Sequence, residues 1–198
     1  RKLDMKKLLE PYNLSIKSSK KIMEIFKEKK YTKKDKVSFY GEISTKFYIL
    51  KSGIIRSFYK DEKGKENIRF LHNGPTVVGS FYSLILNKPS TITYDCLTDC
   101  TLLECDFKVF KRLAKNNVEL SNLYNSILEK NYLDMENRIH DLTSLDATEL
   151  YLKLKSESPE IEKLIPLYHI ASYLNVTPVQ LSRIRRDLYK KVKTTDNI

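Results

Sequence analysis

The sequence predicts an α+β protein in which a β-barrel is followed by one long helix and then by a helix-turn-helix motif. Three observations support this order. The five glycines all fall between positions 41 and 79, among short segments rich in β-branched and aromatic residues. An apolar stripe at helical spacing runs from Leu120 to Leu142. A helix-turn-helix pattern then covers the residues from Leu167 to Arg186.

A short helix is predicted ahead of the barrel. Ile22, Ile25 and Phe26 lie at helical spacing, which favours a basic amphipathic helix over residues 18–28. Residues 17–36 contain nine lysines and three acidic residues. We interpret this run as a solvated face.

Residues 35–106 are predicted to form an antiparallel sandwich or barrel. Glycine marks tight turns. The segments between and after the glycines have the length and composition of strands: KFYIL, IIRSFY, NIRFL, TVV, STITYDC and CTLLEC. KDEKGKE, residues 60–66, is predicted to be a hairpin turn between two of them.

The apolar stripe predicts a helix of about 26 residues, which is roughly 39 Å long. Leu128, Met135 and Leu142 recur every seven residues, a spacing typical of a helix that pairs with its twin. Packing of the stripe on the chain's own barrel is the alternative, and a helix of this length can do both along its run. The expected homodimer interface consists of Leu120, Tyr124, Leu128, Tyr132, Met135, Ile139 and Leu142.

Another helix is predicted directly after the long one. Asp146 and Glu149 form a D-x-x-E start that resembles a capping box, and Pro159 is the stop signal. Its predicted apolar face is Ala147, Leu150, Tyr151 and Leu154.

The residues from Leu167 to Arg186 match the helix-turn-helix pattern position by position. Ala171 occupies the crossing point of the two helices, where only a small side chain fits. Asn175 occupies the turn position that needs a positive φ, which asparagine tolerates better than most residues. Thr177 and Gln180 form a T-x-x-Q capping pattern. The predicted buried positions are Ile170, Leu174, Val176, Leu181 and Ile184.

The second helix of this motif has an apolar side and a cationic side. On a helical wheel of about 100° per residue, Leu181, Ile184 and Leu188 gather on one side and are expected to pack on the first helix. The opposite side is expected to face DNA, and a solvated basic helix is the alternative. The candidate DNA-binding residues are Thr177, Val179, Gln180, Ser182, Arg183, Arg186 and Lys190.

The residues of the cationic side divide by role. Arg183 is placed to reach guanine O6 and N7 in a major groove. Arg186, Lys190 and Lys191 are better placed for phosphates, which give affinity without sequence information. Gln180 has either a pure capping role or a base contact, and both interpretations stay open.

Composition agrees with a polyanionic partner. The formal net charge is +11 and the isoelectric point is about 9.4, which suits nucleic acid or an anionic membrane. A soluble protein that is simply lysine-rich is the alternative. No run of 18 apolar residues occurs, and RKLDMKKLLEPY at the start lacks the apolar core of a signal peptide. We therefore expect neither a membrane span nor secretion.

The cysteines indicate a reducing compartment. Cys96, Cys100 and Cys105 are odd in number and form no CxxC pair, so we expect reduced structural thiols in the cytoplasm. Cys100 and Cys105 differ by an odd step, so on one strand they would face opposite sides. An iron–sulfur or redox site is the alternative.

The sequence offers no support for catalysis. His72, His140 and His169 are scattered over different predicted elements, and His169 falls in the first helix of the motif, where a nearby phosphate is conceivable. No glycine-rich phosphate loop, H-E-x-x-H or G-x-S-x-G pattern is present. We expect a protein that is not an enzyme and that has no cofactor and no metal site.

The order of barrel, long helix and helix-turn-helix resembles the Crp/Fnr transcriptional regulators. FYILKSGIIRSFYKDEKGKE is similar to the family's barrel hairpin at Tyr48, Gly53 and Gly64. VVGSFYSLILNKPSTITYDCLTDCTLLECD resembles the phosphate-binding cassette, and HIASYLNVTPVQLSRIRRDL resembles the DNA-binding motif. The resemblance implies a jelly-roll sensor domain of the cyclic nucleotide-binding type over residues 1–115, a dimerisation helix over 116–143 and a DNA-binding domain over 144–198. It also leaves RNA polymerase open as a further partner.

The cassette departs from the relatives that bind cyclic AMP. They follow the cassette glycine with a glutamate, whereas Gly79 is followed by Ser80. They place an arginine before a Ser or Thr, whereas Ser90 precedes Thr91, and no arginine lies between Arg69 and Arg112. A buried phosphate would lack a compensating cation, which is costly. We expect a weak ligand pocket at Gly79, Ser80, Ser90 and Thr91, no ordinary cyclic-nucleotide binding, and an effector that the sequence does not identify.

The recognition helix departs from the family too. Pro178 and Val179 replace the common Arg and Glu near its start, so the target sequence should differ, since valine can contact a thymine methyl group but cannot accept from cytosine. The family's winged hairpin is expected to be reduced. The alternative function is a cyclic-nucleotide or other small-molecule sensing module that acts through a protein partner.

Overall fold

The structure is a computed structural model that describes residues 9–195, with side chains up to residue 190. Within this range, eight strands form two four-stranded antiparallel sheets, in the orders β1-β8-β3-β6 and β2-β7-β4-β5. The strands are β1 (Lys27–Tyr31), β2 (Lys36–Ser38), β3 (Lys46–Ser52), β4 (Ile54–Lys60), β5 (Glu66–Asn73), β6 (Thr76–Val78), β7 (Thr93–Cys96) and β8 (Cys100–Asp106).

The sheets pack face to face as a jelly roll, which is the predicted α+β architecture. Alternate residues of both sheets point into a shared core. Leu50 and Leu102 come from one sheet and Ile55 from the other, and none of the three is measurably exposed. Cys100 joins this core, whereas Cys105 faces the opposite way into a second cluster, as its odd spacing predicted.

Eight α-helices accompany the barrel in the described residues. They are α1 (Ile16–Ile25), α2 (Phe81–Leu86), α3 (Phe107–Lys115), α4 (Val118–Ser144), α5 (Ala147–Glu157), α6 (Ile161–Leu164), α7 (Leu167–Tyr173) and α8 (Pro178–Thr195). Within the described part of the chain, no helix combines the length and apolar character that crossing a bilayer requires.

The first prediction to be corrected concerns the N-terminal helix. It ends at Ile25 rather than at residue 28, because Lys27–Tyr31 forms β1, which the sequence analysis did not predict. β1 pairs antiparallel with β8, from Lys27 opposite Glu104 to Tyr31 opposite Cys100. It is an edge strand, and exposed lysines on an edge discourage pairing with another chain. The many charged residues of β1 are therefore the reason that the sequence did not predict a strand there.

The long helix divides into two halves with different environments. Leu120 and Tyr124 were predicted in the dimer interface, but they are buried at 0% and 9% exposure inside the protomer. They pack with Leu123 and Ile127 of the same helix, α1 and α3. A side chain with no exposed surface cannot contact a second copy. Of the predicted interface residues, Tyr132, Met135, Ile139 and Leu142 are the exposed ones, and all four follow Leu128.

The helix after α4 begins with the predicted cap. Asp146 accepts hydrogen bonds from the N–H groups of Thr148 and Glu149 at 2.7 and 2.9 Å, and Glu149 accepts from Asp146 N–H at 2.8 Å. This reciprocal arrangement is a capping box. It sets the direction of α5, on which the C-terminal helices pack.

Candidate nucleic-acid interface

The turn between α7 and α8 has the geometry that the sequence predicted. Asn175 has a φ of 56°, in the left-handed region. The N–H of Asn175 donates to the carbonyl of Ser172 at 3.2 Å, and the N–H of Val176 donates to that of Ala171 at 3.0 Å. The carbonyl groups at the end of α7 are thereby satisfied. The chain reverses within four residues and starts α8 at Pro178.

The two helices cross at Ala171, which is 1% exposed. Ile170, Leu174 and Leu181 surround it at 0–2% exposure, and Val176, Ile184 and Leu188 complete the contact from partly buried positions. All five buried positions predicted for the motif therefore lie in or against this core. The inner side of α8 is apolar, which leaves its outer side for another partner.

Thr177 and Gln180 form a reciprocal cap at the start of α8. Gln180 Oε1 accepts from Thr177 N–H at 2.8 Å, and Thr177 Oγ1 accepts from Gln180 N–H at 3.2 Å. Of the two roles left open for Gln180, capping is thus present in the structure. A base contact by Gln180 stays a prediction.

The predicted DNA-contacting side of α8 is exposed. Val179 is 60% exposed, and Ser182, Arg183, Arg186 and Lys190 are exposed as well. Arg183 forms no ion pair with any described residue. Arg186 Nε lies 3.3 Å from Asp187 Oδ1, with both side chains more than half exposed, so this pair is weak. The side chain of Lys191 lies outside the described residues.

Arg185 lies at the boundary of this face and supports the fold. Its Nε is 2.6 Å from Glu162 Oε1, and Tyr151 donates to the same oxygen at 2.7 Å. Burial alone would raise the pKa of Glu162, but the Tyr151 hydroxyl and the Arg185 charge lower it. This pair fixes the position of α8 on α5 and α6.

The helix-turn-helix docks on the outer face of the β2-β7-β4-β5 sheet. Ile54 and Leu97 of the barrel belong to the same buried cluster as Leu150, Ile170 and Leu181. The motif is therefore held against the barrel by a continuous apolar core. The sequence analysis did not anticipate this contact.

Arg56 of β4 makes several polar contacts on the sheet face that packs against the helix-turn-helix. Its Nε and Nη2 donate to Asp95 at 2.7 and 2.9 Å, and its Nη1 lies 2.7 Å from Glu66 Oε2. Its Nη1 also lies 3.3 Å from Nδ1 of His169 in α7. Burial, followed by the charge of Arg56, lowers the pKa of His169 to about 4. The suggestion of a phosphate near His169 is wrong, because this side chain is 7% exposed and faces the barrel.

Ser172 and Arg138 join α7 to the backbone of β5. Ser172 Oγ accepts from Ile68 N–H at 3.1 Å and donates to the Glu66 carbonyl at 3.0 Å. Arg138 of α4 donates to the carbonyl groups of Arg69 and Tyr173, and its guanidinium lies 3.8 Å from the Tyr173 ring centroid. Three parts of the chain meet here, because the residues belong to barrel, long helix and helix-turn-helix.

A cavity of about 630 Å³ lies between the barrel and α4. Phe70, His72 and Tyr94 line its barrel side, and Arg69 and Arg138 contribute cations. The rings of His72 and Tyr94 stack at 5.8 Å. Burial lowers the pKa of His72 to about 4. The barrel side therefore includes a group of aromatic rings.

The cassette residues are hydrogen-bonded to one another. Ser80 and Ser90 are each 2% exposed, and their hydroxyl oxygens lie 2.8 Å apart. Gly79, Ser80 and Thr91 line the cavity as expected, but Ser90 does not, because it lies behind Ser80 and bonds to the backbone of Ile92. No described metal-binding cluster of His, Cys, Asp or Glu accompanies the cavity.

The chain resembles known proteins both in a family model and in three-dimensional structure. A family model for the cyclic nucleotide-binding domain matches residues 28–117. FixK2 from Bradyrhizobium japonicum superimposes with a TM-score of 0.70 at 17% identity, over 84% of this chain and 86% of that one. The chain has the Crp/Fnr fold. The sequence search among curated proteins gave no match.

Two further structures share the Crp/Fnr fold with this chain. A Eubacterium rectale protein assigned to the Crp/Fnr family gives a TM-score of 0.69 at 18% identity, over 93% of this chain and 87% of that one. The c-di-GMP responsive global regulator CLP from Xanthomonas campestris gives 0.69 at 16% identity, over 89% and 93%. The resemblance stated from the sequence is confirmed at the level of the Crp/Fnr fold.

Proposed function

We propose that the protein is a DNA-binding transcription regulator of the Crp/Fnr type, that it binds a pseudo-palindromic operator as a homodimer, and that it is not an enzyme. The observation that carries this proposal is the two-sided α8. Leu181 is buried against Ala171, whereas Arg183 and Arg186 on the other side face solvent. A helix with this division, after a turn fixed by Asn175, suits insertion into a major groove. Such a role places the protein in the cytoplasm with its DNA.

The second half of α4 supports the homodimer. Tyr132 is 61% exposed and Ile139 56%, and Met135 and Leu142 are exposed by two fifths or more. These four residues continue the apolar stripe at steps of three and four, which is the pattern of a helix that pairs with a copy of itself. A two-fold axis along α4 would present two α8 helices to half-sites one helical turn apart, roughly 34 Å.

The cavity supports a regulator that does not respond to cyclic AMP. The positions of the cassette glutamate and arginine are occupied by Ser80 and Ser90, and these two hydroxyl groups bond to each other. A cyclic phosphate at this place would have to displace that bond and would gain no cation from either serine. The aromatic wall of Phe70, His72 and Tyr94 offers stacking surfaces to a ligand but no charge for a phosphate.

Selection of duplexes from a random library by the purified protein, followed by gel shift, tests the DNA-binding proposal. The wild type should enrich a two-fold symmetric motif, and Arg183→Ala should bind it more weakly. Arg112→Ala is a matched control, because Arg112 is an exposed arginine on α3. Failure to enrich any duplex, or equal weakening by both variants, would contradict the proposal.

A further inference from the structure

A second cationic surface lies beside the helix-turn-helix, in the connection from β1 to β2 and at the first residue of β2. It consists of three exposed residues, here called the lysine loop: Lys33, Lys34 and Lys36. Two acidic side chains of this region are engaged with the loop itself. Asp35 accepts from the N–H and hydroxyl groups of Thr32 at 2.7 and 3.0 Å, and Asp99 accepts from Lys33 N–H at 3.0 Å. The loop thus has a fixed shape with its lysines on the outside.

The three ammonium groups have no acidic partner among the described residues. Lys36 Nζ lies 5.8 Å from the centroid of the Phe39 ring, and no ion pair of the loop lysines occurs in the described part of the chain. Neighbouring lysines of the barrel differ, since Lys29 and Lys46 both pair with Glu104. The positive charge of the lysine loop is therefore available to a partner.

The strand register places the lysine loop next to α7. Lys36 lies opposite Asp95 of β7, and Asp95 lies opposite Arg56 of β4. Opposite residues of adjacent strands project on the same face of a sheet. Arg56 contacts His169 of α7 on that face. Lys36, Asp95 and Arg56 therefore form one row across three adjacent strands, and Arg56 in this row contacts the helix-turn-helix.

The first helix of a DNA-bound helix-turn-helix crosses the DNA backbone while the second lies in the major groove. A cationic loop beside the first helix then lies along the path of the duplex, next to the half-site. We propose that the lysine loop binds phosphates of the DNA that flanks the operator. This inference rests on the proposed function and extends the DNA interface from the helix-turn-helix to the barrel.

Two duplexes with the same selected operator test the inference. One ends at the limits of the operator, and the other continues for roughly 15 base pairs on each side, about one and a half helical turns. The wild type should bind the longer duplex more tightly. The triple variant Lys33→Gln, Lys34→Gln, Lys36→Gln should lose most of this advantage. On the longer duplex its salt dependence, the slope of log K against log salt, should fall by roughly 0.9 for each lost phosphate contact.

The matched control removes the same charge elsewhere. Lys88, Lys108 and Lys115 are exposed, and their replacement by Gln should preserve the advantage of the longer duplex. Circular dichroism melting checks the fold, and the single variant Lys33→Gln should show a fraction of the effect if the triple variant unfolds. Equal affinity of the wild type for both duplexes, or equal losses in both triple variants, would overturn the inference alone. Absence of binding to both duplexes would overturn the proposed function with it.

Discussion

Nδ1 of His169 lies 3.3 Å from Nη1 of Arg56, and this contact joins the helix-turn-helix to the barrel. The imidazole is 7% exposed and lies in a field set by Arg56, Asp95, Glu66 and Lys33. Burial and the Arg56 charge disfavour a protonated imidazole here, and the carboxylates of Asp95 and Glu66 offset them only in part. We therefore expect the packing of the helix-turn-helix on the barrel to depend on pH.

The stability of the protein should fall as pH is lowered from 6.5 towards 4. Burial and the Arg56 charge hold the pKa of His169 at about 4, below its ordinary value of 6.5. The unfolded chain therefore binds more protons in this window, so the contribution is fully present above 6.5 and is lost as pH falls through the folded pKa. His169→Asn should reduce the slope of unfolding free energy against pH by at most about 1.4 kcal/mol per pH unit.

Urea denaturation at a series of pH values measures this slope. Ser172→Ala is the control, because it removes a neighbouring docking contact without removing a titratable group. It should lower the stability at every pH and leave the slope unchanged. His72 contributes to the slope in the same direction, since burial lowers its pKa to about 4 as well. An unchanged slope in His169→Asn would contradict the prediction.

Arg183→Ala should weaken binding to the operator and relax the base preference at one position of each half-site. A bidentate contact to guanine is worth roughly 1–3 kcal/mol of discrimination. Lys190→Ala should instead weaken all sequences alike and reduce the salt dependence. Gel shifts with every single-base variant of the selected operator measure both effects. If Arg183→Ala weakened all operators equally, the assignment of Arg183 to base recognition would be wrong.

Asn175→Ala should destabilise the protein by roughly 1–2 kcal/mol, because the turn holds this residue at a φ of 56°. Asn175→Gly is the matched comparison, since glycine adopts the left-handed region without steric cost. It should be close to the wild type in urea denaturation. Equal losses in both variants would mean that the asparagine side chain, rather than its backbone conformation, stabilises the turn.

Ile139→Glu should convert the proposed homodimer into a monomer. Ile139 is 56% exposed in the second half of α4, where a pair of carboxylates across a two-fold interface would repel. Ile85→Glu, at 52% exposure on α2, should remain dimeric. Analytical ultracentrifugation distinguishes the two states. Leu120→Ala should act differently and cost roughly 2–5 kcal/mol of unfolding free energy, because Leu120 lies in the protomer core.

Isothermal titration with cyclic AMP should give no binding heat. The hydrogen bond between Ser80 and Ser90 occupies the cassette, and neither residue can neutralise a phosphate. Cyclic GMP carries the same phosphate and should behave in the same way. Saturable binding of either nucleotide would show that Arg69 or another cavity residue supplies the missing charge.

Local features were the easiest to predict from the sequence. The turn at Asn175, the crossing at Ala171 and the capping box at Asp146 each depend on neighbours within a few residues, and all three appear in the structure. β1 was missed because KEKKY has the composition of a solvated segment. Its partner is residues 100–104, far away in sequence, and only that pairing makes it a strand.

Long-range packing was harder to predict. The stripe on α4 has one spacing throughout, so nothing in its period reveals that Leu120 lies in the protomer core while Ile139 is exposed. Burial of Leu123 and Ile127 beside Leu120 depends on α1 and α3. The docking contacts of Ser172 and His169 likewise join residues more than a hundred positions from their partners. No short-range pattern encodes such pairs.

The hydroxyl group of Ser172 has a consequence for any attempt to isolate the part of the chain that ends with α4. β5 is the last strand of its sheet, and Ser172 satisfies one N–H and one carbonyl of that open edge. A fragment that stops after α4 would leave these groups unpaired on a strand that also carries Phe70 and Leu71. Bare edges of this kind recruit strands from other molecules. Such a fragment should therefore aggregate where the full chain does not.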